Sequence, residues 1–174
     1  YLISQQGYET VGVTMKLHND ESQAQAEASC CTSDDIEDAR SVAEKLGIPY
    51  HVYNYSDNFT EHVISRFVDA YRNARTPNPC IDCNRYIKFD RLVKTAIELG
   101  FDYVVTGHYA VTEYDEASGR YLLKKAVDES KDQSYVLYSL SQEQLSHILF
   151  PLGSMSKQEV REIADKLDFI NADK

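Results

Sequence analysis

The sequence predicts an α/β domain with an open parallel sheet and flanking helices, on three observations. Short β-rich runs alternate with amphipathic helical stretches along most of the chain. Two of those helical stretches run into a glycine, a common helix stop. Strands joined through helices lie parallel, with right-handed crossovers.

The elements follow in order. Tyr1 to Gly7 (YLISQQG) reads as the last turns of a helix closed by Gly7. Glu9 to Met15 (ETVGVTM) is the first strand. A helix over Asp34 to Leu46 places Ile36, Ala39, Val42, Ala43 and Leu46 on one face before Gly47. Tyr50 to Tyr55 (YHVYNY) is a second strand, and Phe59, Val63, Phe67 and Ala70 mark a helix that fades at Asn73. Phe89, Leu92, Val93, Ala96 and Ile97 give another helix, ending at Gly100, and Tyr103 to Thr106 (YVVT) a third strand. Ala110 to Glu113 and Tyr121 to Lys124 form a hairpin around Ser118-Gly119. Ser141 with Gln144 and Ser156 with Glu159 are capping boxes that open helices near 142 to 148 and 157 to 167.

A chain of 174 residues, 43% hydrophobic, suits one ordinary core and a fragment of a second domain at most. It starts without methionine and ends without a terminating feature, which is expected of an internal fragment. No apolar run reaches the roughly 18 residues of a membrane span, so a cytoplasmic protein is expected. The four cysteines, Cys30-Cys31 and Cys80-x-x-Cys83, are too few and too clustered for a secreted disulfide framework.

A net charge of −10 argues against a nucleic-acid partner when taken globally. The distribution changes that reading. Residues 18 to 38 carry seven acids and no Lys or Arg, a solvated strip. Residues 72 to 94 carry six bases (Arg72, Arg75, Arg85, Lys88, Arg91, Lys94) against Asp82 and Asp90. This basic segment contains RTPNPCIDCNR, residues 75 to 85. Pro77 and Pro79 fix φ and push Thr76 and Asn78 toward extended backbone, so Cys80 arrives with little conformational freedom. Neighbouring cations and a downstream helix N-terminus favour a thiolate, which makes Cys83 a reactive candidate. Three other readings stay open: a zinc site completed by His51, His62 or His108, a thioredoxin-type redox pair, and an iron-sulfur site with Cys80 and Cys83 as ligands and a third cysteine outside the fragment.

Parallel sheets bind ligands at the carboxyl ends of their strands. Met15-Lys16-Leu17-His18 and Thr106-Gly107-His108-Tyr109 lie there, where Gly107 allows close backbone approach and Met15 can lie over a base. A glycine after a strand is also an ordinary turn residue, a Met at a strand end ordinary core, and His108 an ordinary structural histidine.

Thr76-Pro77-Asn78-Pro79-Cys80-Ile81-Asp82-Cys83-Asn84-Arg85-Tyr86-Ile87-Lys88-Phe89, with Thr106 to Ala110, Lys131-Asp132-Gln133-Ser134-Tyr135 and Phe150-Pro151-Leu152-Gly153, resembles the bacterial tRNA-specific 2-thiouridylases, the MnmA/TrmU family. The resemblance covers essentially the whole chain. It implies an adenine nucleotide alpha-hydrolase-like (PP-loop ATP pyrophosphatase) fold truncated at both ends, with residues 1–148 the nucleotide-binding domain and 149–174 the start of the next. The implied activity uses ATP, with Mg2+, to adenylate the C2 carbonyl of the wobble uridine in tRNAs of the Lys, Glu and Gln type. Sulfur from a cysteine desulfurase relay then replaces that oxygen.

By the family's motif, Cys83 matches the thiol that attacks a persulfide and is left in a disulfide. Asn78, Pro79 and Cys80 match the target-base contact, Lys131, Asp132 and Gln133 a tRNA contact, and Met15 and Gly107 ATP contacts. Many members carry aspartate where this chain has Cys80, which opens that position to a redox role, an acid/base role or a place in a [4Fe-4S] cluster. The SGGVDSS-like pyrophosphate loop is expected before Tyr1 and the persulfide-bearing cysteine after Lys174, so this polypeptide alone is not expected to complete the reaction. Other ATP pyrophosphatases acting on small molecules, and a zinc-dependent RNA-binding module, are the competing classes.

Overall fold

The computed structural model describes residues 1–18 and 33–170, so Cys30 and Cys31 lie outside the described residues. The chain divides into two compact units, residues 1–61 with 161–174, and residues 62–160.

In the first unit, β1 (Gly12–Lys16) pairs in parallel with β2 (Tyr50–Asn54), Gly12 opposite Tyr50 and Lys16 opposite Asn54. The connecting helix α1 (Ser33–Leu46) has Asp34 and Asp35 in its first turn and Lys45 in its last, each matching the helix dipole. A Cβ on Gly12 would lie 3.2 Å from the Tyr50 ring and 3.6 Å from Ala43, so the bare backbone lets α1 and β2 close on β1. A short helical turn, Ser4–Gln6, ends at Gly7 with φ 87°, the glycine stop expected from sequence.

Helix α2 runs through Ser56–Phe59, Thr60–Ile64 and Ser65–Arg72, the middle stretch wound wider, as a π-helix. In the second unit, α3 runs through Pro79–Asp82, Cys83–Arg91 and Leu92–Glu98, again with a π-wound centre. Then follow β3 (Val104–Val105), the antiparallel hairpin β4 (Ala110–Asp115) and β5 (Arg120–Lys125), a 3-10 turn Ser134–Val136, α4 (Gln142–Ser146), β6 (Ile148–Leu149) and α5 (Lys157–Lys166). β3 pairs in parallel with β6. The third strand expected from sequence thus finds its partner in a two-residue strand at the end of the segment expected to be helical. Leu149 and Phe150, just past the boundary expected after residue 148, pair and pack within the 62–160 unit.

The core of this unit is Phe89 and Val93 of α3 against Val104, Ala110, Val136, Leu137, Ile148 and Phe150. Gly153 is fixed by packing: a Cβ there would sit 1.8 Å from the Ala110 carbonyl oxygen. The capping boxes form as expected. Ser141 and Gln144 exchange bonds across the first turn of α4, and Gln144 Nε2 also donates to the Phe89 carbonyl at 2.8 Å, tying α4 to α3.

Four helices close in one way, with a left-handed residue followed by a 6→1 backbone bond. In α1 and α3 that residue is Gly47 (φ 66°) or Gly100 (φ 84°), followed by Ile48 N–H to Ala43 and Phe101 N–H to Ala96. In α2 and α5 it is Ala74 (φ 54°) or Asp168 (φ 50°), followed by Arg75 N–H to Ala70 and Phe169 N–H to Ala164. A side chain in this region costs about 1–2 kcal/mol, so two helices end under strain.

Candidate active site

The residues of this site belong to the 62–160 unit, and Met15 is described by itself in the other. The left-handed Ala74 turns the chain out of α2 into the TPNP loop, which reaches Asn78 in extended geometry (φ −115°, ψ 101°). Asn78 caps α3: its Oδ1 accepts the Cys80 backbone N–H at 3.0 Å, and Pro79 occupies the first helical position, where no N–H is needed. With Oδ1 engaged, the Nδ2 hydrogens of this exposed amide remain as donors.

Cys80 is exposed, and Cys83, one turn along, is 8% exposed; both are reduced. The reactive candidate read from sequence is therefore the buried thiol of the pair, and the solvent meets Cys80. Three of the cations in this region have partners. Arg66 Nε is 3.3 Å from an Asp82 carboxylate oxygen, both Arg66 and Arg85 lie 5.3 Å over the Tyr86 ring, and His62 stacks on that ring at 5.2 Å. Lys94 pairs with Asp90 at 2.7 Å.

A cleft of about 610 Å³ opens between α2 and this loop, lined by Ser65, Arg66, Asp69 and Ala70 on one side and Arg75, Pro77, Asn78, Ile81 and Asp82 on the other. Arg66 and Tyr86 were not singled out from sequence, since nothing in either helix alone shows that they meet. Asn84 was also missed. It is 2% exposed, donates from Nδ2 to the Val136 carbonyl at 3.4 Å, and its Oδ1 has no partner among the described residues.

Behind the thiol helix, His108 is buried between Phe89 and Phe150, with ring centroids 5.7 and 6.0 Å away. Its Nδ1 is 2.8 Å from Thr106 Oγ1. Burial, reinforced by the charge of Lys88, pushes its pKa down to about 4, so the ring is neutral at physiological pH. Gly107 beside it has no packing reason to be glycine: a Cβ at that position would meet only Leu152 Cδ1, at 3.7 Å. Met15 sits on β1 opposite Tyr53, half-buried.

The Lys131-Asp132-Gln133 segment divides by role. Gln133 and Tyr109 bond reciprocally: Tyr109 N–H donates to Gln133 Oε1 at 3.0 Å, and Gln133 N–H to the Tyr109 carbonyl at 2.8 Å. This clamps the Gly107 loop. Asp132 accepts from Ala126 N–H at 2.8 Å and Ser134 Oγ at 2.7 Å; burial raises its pKa, but these bonds outweigh it and hold the carboxyl below its usual range. Lys131 is exposed.

His51 lies near Tyr53, His62 on Tyr86 and His108 beside Thr106. Among the described residues, no three or more His, Cys, Asp or Glu are arranged to hold a metal ion. No helix among them is long and apolar enough to cross a membrane.

The chain is similar to proteins named tRNA-specific 2-thiouridylase MnmA. It is 57% identical to MnmA 1 of Thermoanaerobacter sp. over 169 residues, 96% of this chain and 46% of that protein. With the Clostridioides difficile protein it is 54% identical over 167 residues, again 96% and 46%. For Acetivibrio thermocellus the figures are 49% over 175 residues, 99% and 49%. The chain thus spans about half the length of these curated relatives. A family model described as tRNA methyl transferase HUP domain, an α/β fold with parallel strands, matches all of residues 1–174. The chain belongs to that family.

Proposed function

We propose that this chain carries the nucleotide-binding and thiol-bearing part of an enzyme that converts the wobble uridine of tRNA to 2-thiouridine, using ATP with Mg2+. ATP converts the C2 carbonyl oxygen into an adenylate, releasing pyrophosphate; sulfur then adds to C2 and the oxygen departs with AMP. The observation that carries this reading is the loop of residues 75–85, where a rigid cap sets an outward amide donor beside two thiols. Sulfur transfer gives those thiols a task that methyl transfer does not.

The residues divide the work by their chemistry. Asn78, with Oδ1 bound to the Cys80 N–H, offers Nδ2 donors to a base carbonyl, and Pro79 gives an apolar edge against the ring. Cys80 completes that base-facing turn. Cys83 is the nucleophilic thiol of sulfur transfer. Gly107 leaves room for a nucleotide against the backbone, since only Leu152 Cδ1 would contact a Cβ there. Met15, on its own unit, keeps the ATP-contact role that the family resemblance implies. Lys131 contacts the RNA through its charge, while Asp132 and Gln133 hold its segment in place by the bonds described above.

The partner is tRNA of the Lys, Glu and Gln type, and the sulfur donor a persulfide delivered from a cysteine desulfurase relay, in the cytoplasm. The experiment is thiolation by the full-length protein of an unmodified tRNA transcript with ATP and a persulfide donor, read by nucleoside mass spectrometry. ATP-dependent 2-thiouridine is expected. Its absence, or transfer of a methyl group instead, overturns the proposal.

A further inference from the structure

We infer that Tyr135 and Tyr138 form a stacking platform for the unpaired nucleobases that adjoin the wobble uridine in the anticodon loop. The inference deepens the proposed function and rests on that reading for the identity of the RNA.

Three observations carry it. The first is two large rings raised on a turn that the core holds in place. Tyr135 and Tyr138 are 62% and 67% exposed, whereas Val136 and Leu137 between them are 3% and 0% exposed and pack in the core with Phe89 and Phe150. Val136 N–H bonds to the Gln133 carbonyl and Leu137 N–H to that of Ser134, a 3-10 winding in which side chains three residues apart eclipse one another. The two tyrosines therefore rise from one side of the turn.

The second is the scaffold beneath them. Asn84, the residue after Cys83, donates from Nδ2 to the Val136 carbonyl at 3.4 Å. Just upstream, Gln133 is bonded reciprocally to Tyr109, beside the Gly107 loop. The platform is thus built onto the helix that carries the thiols and onto the proposed nucleotide loop.

The third is the electrostatic setting. Exposed Lys131 lies four residues before Tyr135, and β5, which ends in exposed Lys125, packs on the turn. Of the acids in residues 126–138, Asp128 accepts from Ser130 Oγ and Lys157 N–H, and Asp132 from Ala126 N–H and Ser134 Oγ, which leaves Glu129. Rings interleaved with cations suit single-stranded nucleic acid, because phosphates meet the lysines and every base has a face to stack. A docked protein would favour a continuous apolar patch, whereas the apolar residues between these rings point inward. The reaction also creates the need: a uridine drawn out of its loop leaves its neighbours without a stacking partner, and the tyrosines replace it.

The test measures binding of the full-length protein to an unmodified tRNA transcript of the Lys type by fluorescence anisotropy, without ATP or persulfide. Tyr135→Ala and Tyr138→Ala should each weaken binding by between about fivefold and a hundredfold at unchanged melting temperature. Tyr→Phe at either position should stay within about twofold of wild type, since stacking needs the ring and not the hydroxyl. The salt dependence of binding should not change in the alanine variants, because no phosphate contact is lost. A transcript with an abasic nucleotide beside the wobble uridine should weaken wild-type binding to a similar degree, and the alanine variants should lose little more on it. Wild-type affinity in the Tyr135→Ala/Tyr138→Ala double variant overturns the inference, as does an alanine loss that adds in full to the abasic loss. Wild-type tRNA affinity with slowed uptake of sulfur from the donor protein also overturns it, in favour of protein docking. In these outcomes tRNA thiolation by the wild-type protein stands; a wild-type protein that binds no tRNA removes the proposed function as well.

Discussion

Acidification should unlock the core behind the thiol helix through one residue, His108. Its folded pKa of about 4 lies below its ordinary value near 6.5 because the ring is buried and Lys88 is close. The unfolded chain takes up a proton near pH 6.5 and the folded chain does not, so the stabilising contribution is complete above pH 6.5 and is lost as pH falls toward 4. A shift of this size corresponds to about 3 kcal/mol, at a slope approaching 1.4 kcal/mol per pH unit between those limits. The carboxylates held low by hydrogen bonds, Asp132 among them, add losses at the acidic end of that range. Urea unfolding followed by far-UV circular dichroism at pH 7.5, 6, 5 and 4.5 measures the slope, since the chain has no tryptophan to report by fluorescence. His108→Phe replaces the ring with one that cannot titrate and should flatten the dependence between pH 6.5 and 4.5, whatever it does to stability at pH 7.5. An unchanged slope in His108→Phe refutes the assignment.

Two glycines should separate function from packing. Gly107→Ala should change stability by less than about 1 kcal/mol yet raise the KM for ATP, while Gly153→Ala, whose Cβ would strike the Ala110 carbonyl, should destabilise by more than about 3 kcal/mol in urea unfolding. Ala74→Gly should raise stability by up to about 1 kcal/mol, read from the denaturation midpoint, because the residue already lies at φ 54°. Lys131→Ala should leave the melting temperature unchanged and weaken tRNA binding, reducing the salt dependence by about one phosphate contact. Asp132→Ala should instead cost about 1–3 kcal/mol of stability by orphaning the Ala126 N–H and the Ser134 hydroxyl.

Local signals in the sequence located most elements. Gly47 and Gly100 mark helix ends because glycine is the residue that enters the left-handed region freely, and Ser141 with Gln144 marks a start because both side chains reach back to backbone N–H groups. Ala74 and Asp168 end helices through the same backbone turn without any such signal, since their strain is imposed by the fold. Ile148–Leu149 escaped notice because two residues carry no periodicity and follow a capped helix. The loop of residues 75–85 was legible through its prolines and cysteines, but which thiol faces solvent was not. That depends on the turn by which Asn78 opens α3; of the basic residues that suggested a thiolate at Cys83, Lys94 pairs with Asp90 and Arg85 lies over the Tyr86 ring. Asp132 and Gln133 look like a polar surface in sequence; their bonds to Ala126 and Tyr109 exist only once the hairpin and the Gly107 loop are folded.

The fate of one oxygen atom decides whether the base is adenylated. A tRNA transcript carrying 18O at the C2 carbonyl of its wobble uridine, incubated with the full-length protein, ATP and a persulfide, should yield 2-thiouridine with the label in the phosphate of AMP. Label found in water or in pyrophosphate, or retained in the nucleoside, would contradict adenylation of the base and with it the role assigned to this chain.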